Sequence, residues 1–283
     1  MLSATQRLLD LGARIAEIKS GIDPDTGESF LQWKYIKINM ARHGENGREW
    51  YEMKPEIVKS VVDFLYSDFM PKPAYDRLES LISEVAHPGM LAAEIGCFTG
   101  RTAFCALPTI KTQGGLFYLI DWFKGCVDSK CVWIQDEFPR NHVASVLLNN
   151  LEVGEFSENA VIMVGHSAGS AAAFADNSLD YLYIGADHRY TQFGGDIDAW
   201  WPKLKPGGVM CGHGHDKRII KDGPEWDRCL EHCEKDCIDG VHWGISRQLA
   251  EKFPDYGDDT GIWWVYKGVS SNQYAQRIAR EGI

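Results

Sequence analysis

The chain has 283 residues, 45% of them hydrophobic and 24% charged, an ordinary composition for a globular protein with a sizeable core. Its formal net charge of −11 repels phosphate backbones and argues against nucleic acid as a partner. No apolar run approaches the roughly 20 residues that span a bilayer, which argues against a membrane partner.

Residues 1–85 read as an N-terminal extension, a lid or oligomer contact, ahead of a main domain at 86–283. Met1 to Ile18 reads as an amphipathic helix with Leu8, Leu11, Ile15 and Ile18 on one side. Ser20 to Ser29 is rich in Gly, Asp and Pro and reads as a loop. Leu31 to Met40, apolar and aromatic, reads as a strand or a packing segment, and Ala41 to Arg48 as a mobile polar stretch. Lys54 to Leu65 and Pro73 to Val85 have helical spacing, with Val61, Leu65, Leu78, Leu81 and Ile82 as buried faces.

From Met90 the pattern alternates. Strands are predicted at 91–96, 115–121, 160–164, 180–184 and 207–212. Helices are predicted at 99–107, 136–150, 168–175, 193–203, 223–236 and 241–252. An aromatic strand, Ile262 to Lys267, is expected near a sheet edge. This alternation predicts an α/β fold: a Rossmann-like, doubly wound, mostly parallel sheet with helices on both faces and an N-terminal helical extension. The N-terminal helix and the aromatic strand offer contacts for a homo-oligomer. The eight scattered cysteines, among them Cys97 and Cys211 at strand ends, suit small buried thiols in a reducing, cytoplasmic compartment.

Ligands of such sheets bind at the carboxyl ends of the strands. The first strand ends in Ala93-Glu94-Ile95-Gly96-Cys97-Phe98-Thr99-Gly100. Gly96 and Gly100 let a ligand approach the backbone, and the following helix start favours a carboxylate. Asp121 closes the second strand, where an acid accepts hydrogen bonds from ribose hydroxyls. The dinucleotide pattern Gly-x-Gly-x-x-Gly is absent, which argues against NAD.

With these residues the chain resembles the S-adenosylmethionine-dependent methyltransferases, and within them the small-molecule O-methyltransferases similar to macrocin methyltransferases and cephalosporin hydroxylase-like proteins. The resemblance is carried by Glu94 to Gly100, Asp121, Asn177-Ser178-Leu179-Asp180-Tyr181, Ala186-Asp187-His188-Arg189-Tyr190 and the run Asp196 to Gly208. It covers roughly residues 90–267. It implies S-adenosylmethionine as cofactor and a small-molecule hydroxyl as acceptor. It implies that Glu94, Gly96 and Gly100 line the methionine end and that Asp121 holds the ribose. Trp122 and the turn Gly165-His166-Ser167 would lie beside the adenine.

At the reaction end the chain departs from the family. Related members carry an acid where Gly185 stands and Gly-His-Asp where this chain has Gly212-His213-Gly214. In metal-dependent members such acids hold magnesium, and a hard cation needs oxygen ligands. Three readings stay open. The enzyme works without metal, with His188 or His213 as general base and Asp187 orienting His188 or merely capping a helix. Alternatively, His188, His213, His215 and Asp216 form a site for a softer divalent metal, with His213 and His215 on one strand face. Or the protein binds cofactor without turnover.

Two rival motifs remain. Gly165-His166-Ser167-Ala168-Gly169 matches the nucleophile elbow of serine hydrolases, with Asp196 and His242 downstream. Cys229, Cys233 and Cys237 fall at helical spacing beside Trp226 and Leu230, a structural stripe rather than a zinc pattern.

Overall fold

The computed structural model of the chain describes residues 14–22, 29–40 and 49–52 as strand backbone. It further describes residues 70, 72–123, 144, 147–148, 150–152, 154–235, 241–253 and 255–268. Strands β1 (Arg14–Ile22), β2 (Ser29–Met40) and β3 (Glu49–Glu52) form a three-stranded antiparallel sheet. The expected helix over Met1 to Ile18 is thus corrected where it is described: Arg14 to Ile18 are strand. The reason is legible afterwards. Ala16, Ile18, Ser20 and Ile22 also alternate with Glu17, Lys19 and Gly21, and a β-branched and aromatic partner, Phe30 to Ile38, lies close in sequence. Pairing with that partner overrides a short helical period. Met1 to Ala13, Ala41 to Arg48 and Lys54 to Leu65 lie outside the described residues.

The helical part of the extension among the described residues is α1 (Lys72–Glu84). It buries Ala74, Tyr75, Leu78, Leu81 and Ile82, a stripe with the 3.6-residue period. Each fully buried aliphatic side chain contributes about 1.5–3 kcal/mol.

The main domain then runs β4 (Leu91–Ile95), α2 (Ala103–Thr112), β5 (Leu116–Asp121), β6 (Ala160–Val164), the single turn α3 (Ser167–Ser170) and β7 (Leu179–Ile184). It continues with α4 (Tyr190–Trp200), β8 (Leu204–His213), α5 (Trp226–His232), α6 (Trp243–Lys252), β9 (Gly257–Asp259) and β10 (Ile262–Tyr266). The sheet order is β6-β5-β4-β7-β8-β10-β9. The first five strands are parallel, while β10 is antiparallel to both β8 and β9. Every residue of β7 is buried, as expected of a strand covered on both faces. One face packs against α1 and α2. The other packs against α4 and α6 through Phe193, Ile197, Trp200, Ile245 and Leu249.

The chain winds outward from β4 to β5 and β6, then returns to β7 on the other side of β4. That reversal opens a crevice at the carboxyl ends of β4 and β7. Among the described residues no helix is long and apolar enough to cross a membrane.

Candidate active site

The glycine turn after β4 is held by protein. Gly96 has φ +82°, and a Cβ there would stand 2.7 Å from Ala186 Cα and 2.8 Å from the Gly185 carbonyl oxygen. The turn therefore packs backbone to backbone against the tip of β7. At Gly100, φ +93°, a Cβ would stand 2.7 Å from Leu147 Cδ1. At both positions the space that sequence reasoning reserved for a ligand is taken by neighbouring protein atoms, and the glycines serve first to bring the strand tips together.

Glu94 lies fully buried beneath this turn. Its Oε1 accepts a hydrogen bond from Thr102 Oγ1, and its buried Oε2 has no hydrogen-bond partner. Burial pushes the carboxyl up to about 8, against the pull of the Thr102 bond, with the Asp121 charge adding to the rise. A buried carboxyl oxygen left open in this way fits a cationic donor such as the ammonium of S-adenosylmethionine.

Asp121 ends β5. Its Oδ2 accepts from the Phe98 amide (2.9 Å) and its Oδ1 from the Phe123 amide (2.8 Å). Both donors sit in left-handed backbone, φ 47° and 51°, a conformation that non-glycine residues hold at a cost. Burial raises the Asp121 pKa, and the amide bonds oppose that. Backbone amides on both oxygens fix the carboxylate in place. Beside it, Trp122 meets His166 edge-on, with centroids 6.0 Å apart. Ser167 Oγ donates to buried Asp196 of α4, whose carboxyl burial pushes up to about 7.

The reaction end gathers three imidazoles from three segments. His188 follows β7, His213 ends β8, and His242 is the N-cap residue of α6. His188 Nδ1 lies 3.0 Å from His242 Nδ1. Ring centroids are 4.1 Å apart for His188 and His242, 4.9 Å for His188 and His213, and 6.3 Å for His213 and His242. His213 Nδ1 is 2.7 Å from the Tyr183 hydroxyl, which burial keeps protonated.

The space beside Gly185 and Gly214, where the resemblance implies acids, is taken by other side chains. A Cβ on Gly185 would stand 2.7 Å from Tyr183 Cε1 and 3.4 Å from His213 Cε1. One on Gly214 would stand 2.9 Å from His242 Cδ2.

Several expectations need correction. His213 and His215 do not share a face, because Gly214 at φ +84° ends the strand alternation. His215 instead meets Ser246 (3.2 Å), Tyr256 (3.1 Å) and Asp258 (3.3 Å). Asp187 directs both oxygens to Arg189, and accepts the Arg189 amide at 3.0 Å. It caps the turn into α4, while His188 has its imidazole partner in His242. Asp216 is closed in the same way by Arg218. These carboxylates do not fit a hard cation. Among the described residues no group of three or more His, Cys, Asp or Glu is arranged to hold a metal ion.

The elbow serine has a carboxylate partner, Asp196, and the histidine proposed for its triad, His242, bonds His188. That geometry does not assemble a hydrolase triad. Cys229 and Cys233 are buried against Trp226, Val241 and Trp243, the structural stripe expected, although Leu230 is 44% exposed and lies off it. Cys237 lies outside the described residues. Sequence reasoning missed Tyr183 as a histidine partner and misassigned His242, whose position before an unremarkable helix carries no motif.

The family model described as a methyltransferase domain matches residues 93–215, a span that contains the glycine turn, Asp121 and both histidine-bearing strand tips. No curated protein matches the chain. Similar solved structures include a candidate caffeoyl-CoA O-methyltransferase from Staphylococcus aureus (15% identity, 75% of this chain and 91% of that chain, TM-score 0.49). They also include a Podospora anserina methyltransferase bound to S-adenosylhomocysteine (10%, 73% and 84%, 0.48). A third is an S-adenosylmethionine-dependent O-methyltransferase from Thermotoga maritima (14%, 72% and 74%, 0.43). The sequence match falls on the strands and tips that form the crevice, and residues 93–215 match a methyltransferase domain.

Proposed function

We propose that the protein methylates a hydroxyl of a small molecule, with His188 as general base. The observation that carries this reading is the contact between the Gly96 turn and the tip of β7. It brings the turn after β4 directly beside the segment bearing His188, which in turn touches His213 and His242.

S-adenosylmethionine, when bound, supplies a methyl group on a sulfonium, activated for transfer to an oxygen in line with it. Glu94 would meet the ammonium and Asp121 the ribose, and Trp122 with the His166-Ser167 turn would flank the adenine. The chain's remaining tasks are to orient the acceptor and to take its proton, for which a placed imidazole contributes about 10²–10⁴-fold. The acidic surface favours a small acceptor over a nucleic acid. The room left by Gly185 and Gly214 is filled by a tyrosine and imidazoles, which supports a catalytic reading over cofactor binding alone.

The test has two parts. Calorimetric titration with S-adenosylmethionine, with chelator and with divalent metal, establishes cofactor affinity. Turnover is then followed against a panel of phenolic and sugar hydroxyls. His188→Ala is expected to lower turnover on the order of 10²-fold or more while leaving cofactor affinity within about twofold. Undiminished turnover would remove His188 from the mechanism, and absence of binding would remove the reading.

A further inference from the structure

Two imidazole nitrogens 3.0 Å apart, His188 Nδ1 and His242 Nδ1, must hold one proton between them. A neutral imidazole has one N–H and one bare nitrogen. The ring that donates through Nδ1 therefore has a bare Nε2, and the ring that accepts carries its proton on Nε2. A neutral pair has a single Nε2 lone pair, and the direction of the shared hydrogen bond decides which ring bears it.

His242 is the N-cap residue of α6, a ten-residue helix, whereas His188 stands one residue before Arg189, the N-cap of α4. The positive end of a helix thus bears more closely on His242. There it favours an accepting lone pair. The His242 ring is also fixed from behind, since it occupies the room that a Gly214 side chain would need.

We propose that His242 is a positioning residue for the methyl transfer: its Nδ1 accepts the Nδ1–H of His188 and thereby leaves His188 Nε2 bare to take the acceptor's hydroxyl proton. When it does so, the O–H bond breaks, its electron pair stays on the acceptor oxygen, and an N–H bond forms at Nε2. The Nδ1–H bond to His242 then becomes charge-assisted and stronger. The role of His188 in this inference rests on the base reading above. His242 lies outside the span 93–215 that the methyltransferase-domain model matches, and His188 lies inside it.

The test is long-range ¹H–¹⁵N spectroscopy of the full chain labelled with ¹⁵N-histidine, at neutral pH. His188 is expected to carry its proton on Nδ1, and His242 on Nε2. His242→Phe keeps a ring and removes the acceptor, so His188 should shift to the Nε2–H form. His242→Asn places Oδ1 at the same branch position as the imidazole Nδ1 and should restore the Nδ1–H form. Turnover should follow the tautomer, falling about tenfold or more in His242→Phe and recovering in His242→Asn, with S-adenosylmethionine affinity unchanged.

Nε2–H on His188 in the unaltered protein would overturn the inference, and so would a His188 tautomer indifferent to His242→Phe. The first needs no variant, so a poorly folding substitution does not leave the question open. Failure of the base reading itself shows elsewhere, as full turnover in His188→Ala.

Discussion

Glu94→Gln separates what Glu94 costs the fold from what it contributes to the site. The carboxyl is fully buried, and burial pushes it up to about 8 from an ordinary 4.5. The folded state therefore binds this proton more tightly than the unfolded chain, and stability falls as pH rises from about 4.5 to about 8. At pH 7 the carboxyl has passed about 2.5 pH units above its unfolded value, a cost of about 3 kcal/mol at 1.36 kcal/mol per unit. Glutamine has the same shape, keeps an Oε1 to accept from Thr102, and carries no titration.

The variant should therefore be more stable than the native chain by up to about 3 kcal/mol at pH 7, with the gain vanishing near pH 4. Urea denaturation at pH 4, 5, 6 and 7 measures this as a widening difference in midpoint at constant slope. Cofactor affinity should move the other way, because the amide offers no charge to the ammonium. A stability difference that stays flat with pH, or a less stable variant at pH 7, would refute the argument that Glu94 is held dry and unsatisfied.

Gly96→Ala should cost about 2–5 kcal/mol, from a left-handed Cβ and a backbone collision that no side chain can relieve. Gly114→Ala, also left-handed but with nothing within 4 Å of the new methyl, should cost only about 1–2 kcal/mol; equal midpoints in urea would show that the β4–β7 tip is not tightly packed. Gly185→Asp restores the acid of the family pattern, yet drives a Cβ into the buried Tyr183 ring. It should lose about 1–3 kcal/mol of stability, and a stable variant with magnesium-dependent binding would contradict the spatial replacement described above. Trp122→Leu should weaken S-adenosylmethionine binding about two- to tenfold if the Trp122–His166 pair flanks the adenine, as read by calorimetry.

The turns at the tips of β4 and β5 were legible in the sequence because each of their parts is local. Glu94, Gly96 and Asp121 stand at or next to the ends of predicted strands, and strand ends are what periodicity and glycine positions report. The reaction half was only partly legible. The absence of acids at Gly185 and Gly214 could be read directly, but what fills their place could not. His242 lies 54 residues from the imidazole it touches, and only the docking of α6 against α4 brings the two together. His213 and His215 were read as one face because strand alternation was extended two residues past the end of β8, through a glycine with positive φ. The N-terminal helix failed for a similar reason: a stretch that satisfies two periods adopts the one for which a partner is available.

The two acids next in sequence to these imidazoles, Asp187 beside His188 and Asp216 after His213, are each closed by an arginine two residues on, so among the described residues the reaction end is lined by imidazoles rather than by these carboxylates. For the proposed transfer this matters through charge. A carboxylate beside a sulfonium forms an ion pair in the ground state that is lost when the sulfonium charge disappears, so it favours the reactants. A neutral imidazole makes no such pair. As the proton reaches it, positive charge appears on the base while positive charge leaves the sulfur, and the site carries the same net charge before and after. Interactions that strengthen only as the reaction proceeds are the ones that lower a barrier. The bond from His188 to His242 is of that kind, since it is neutral at the start and charge-assisted at the end. On the proposed reading, the tyrosine and imidazoles that fill the space at Gly185 and Gly214 offer a neutral base where the resemblance implies acids.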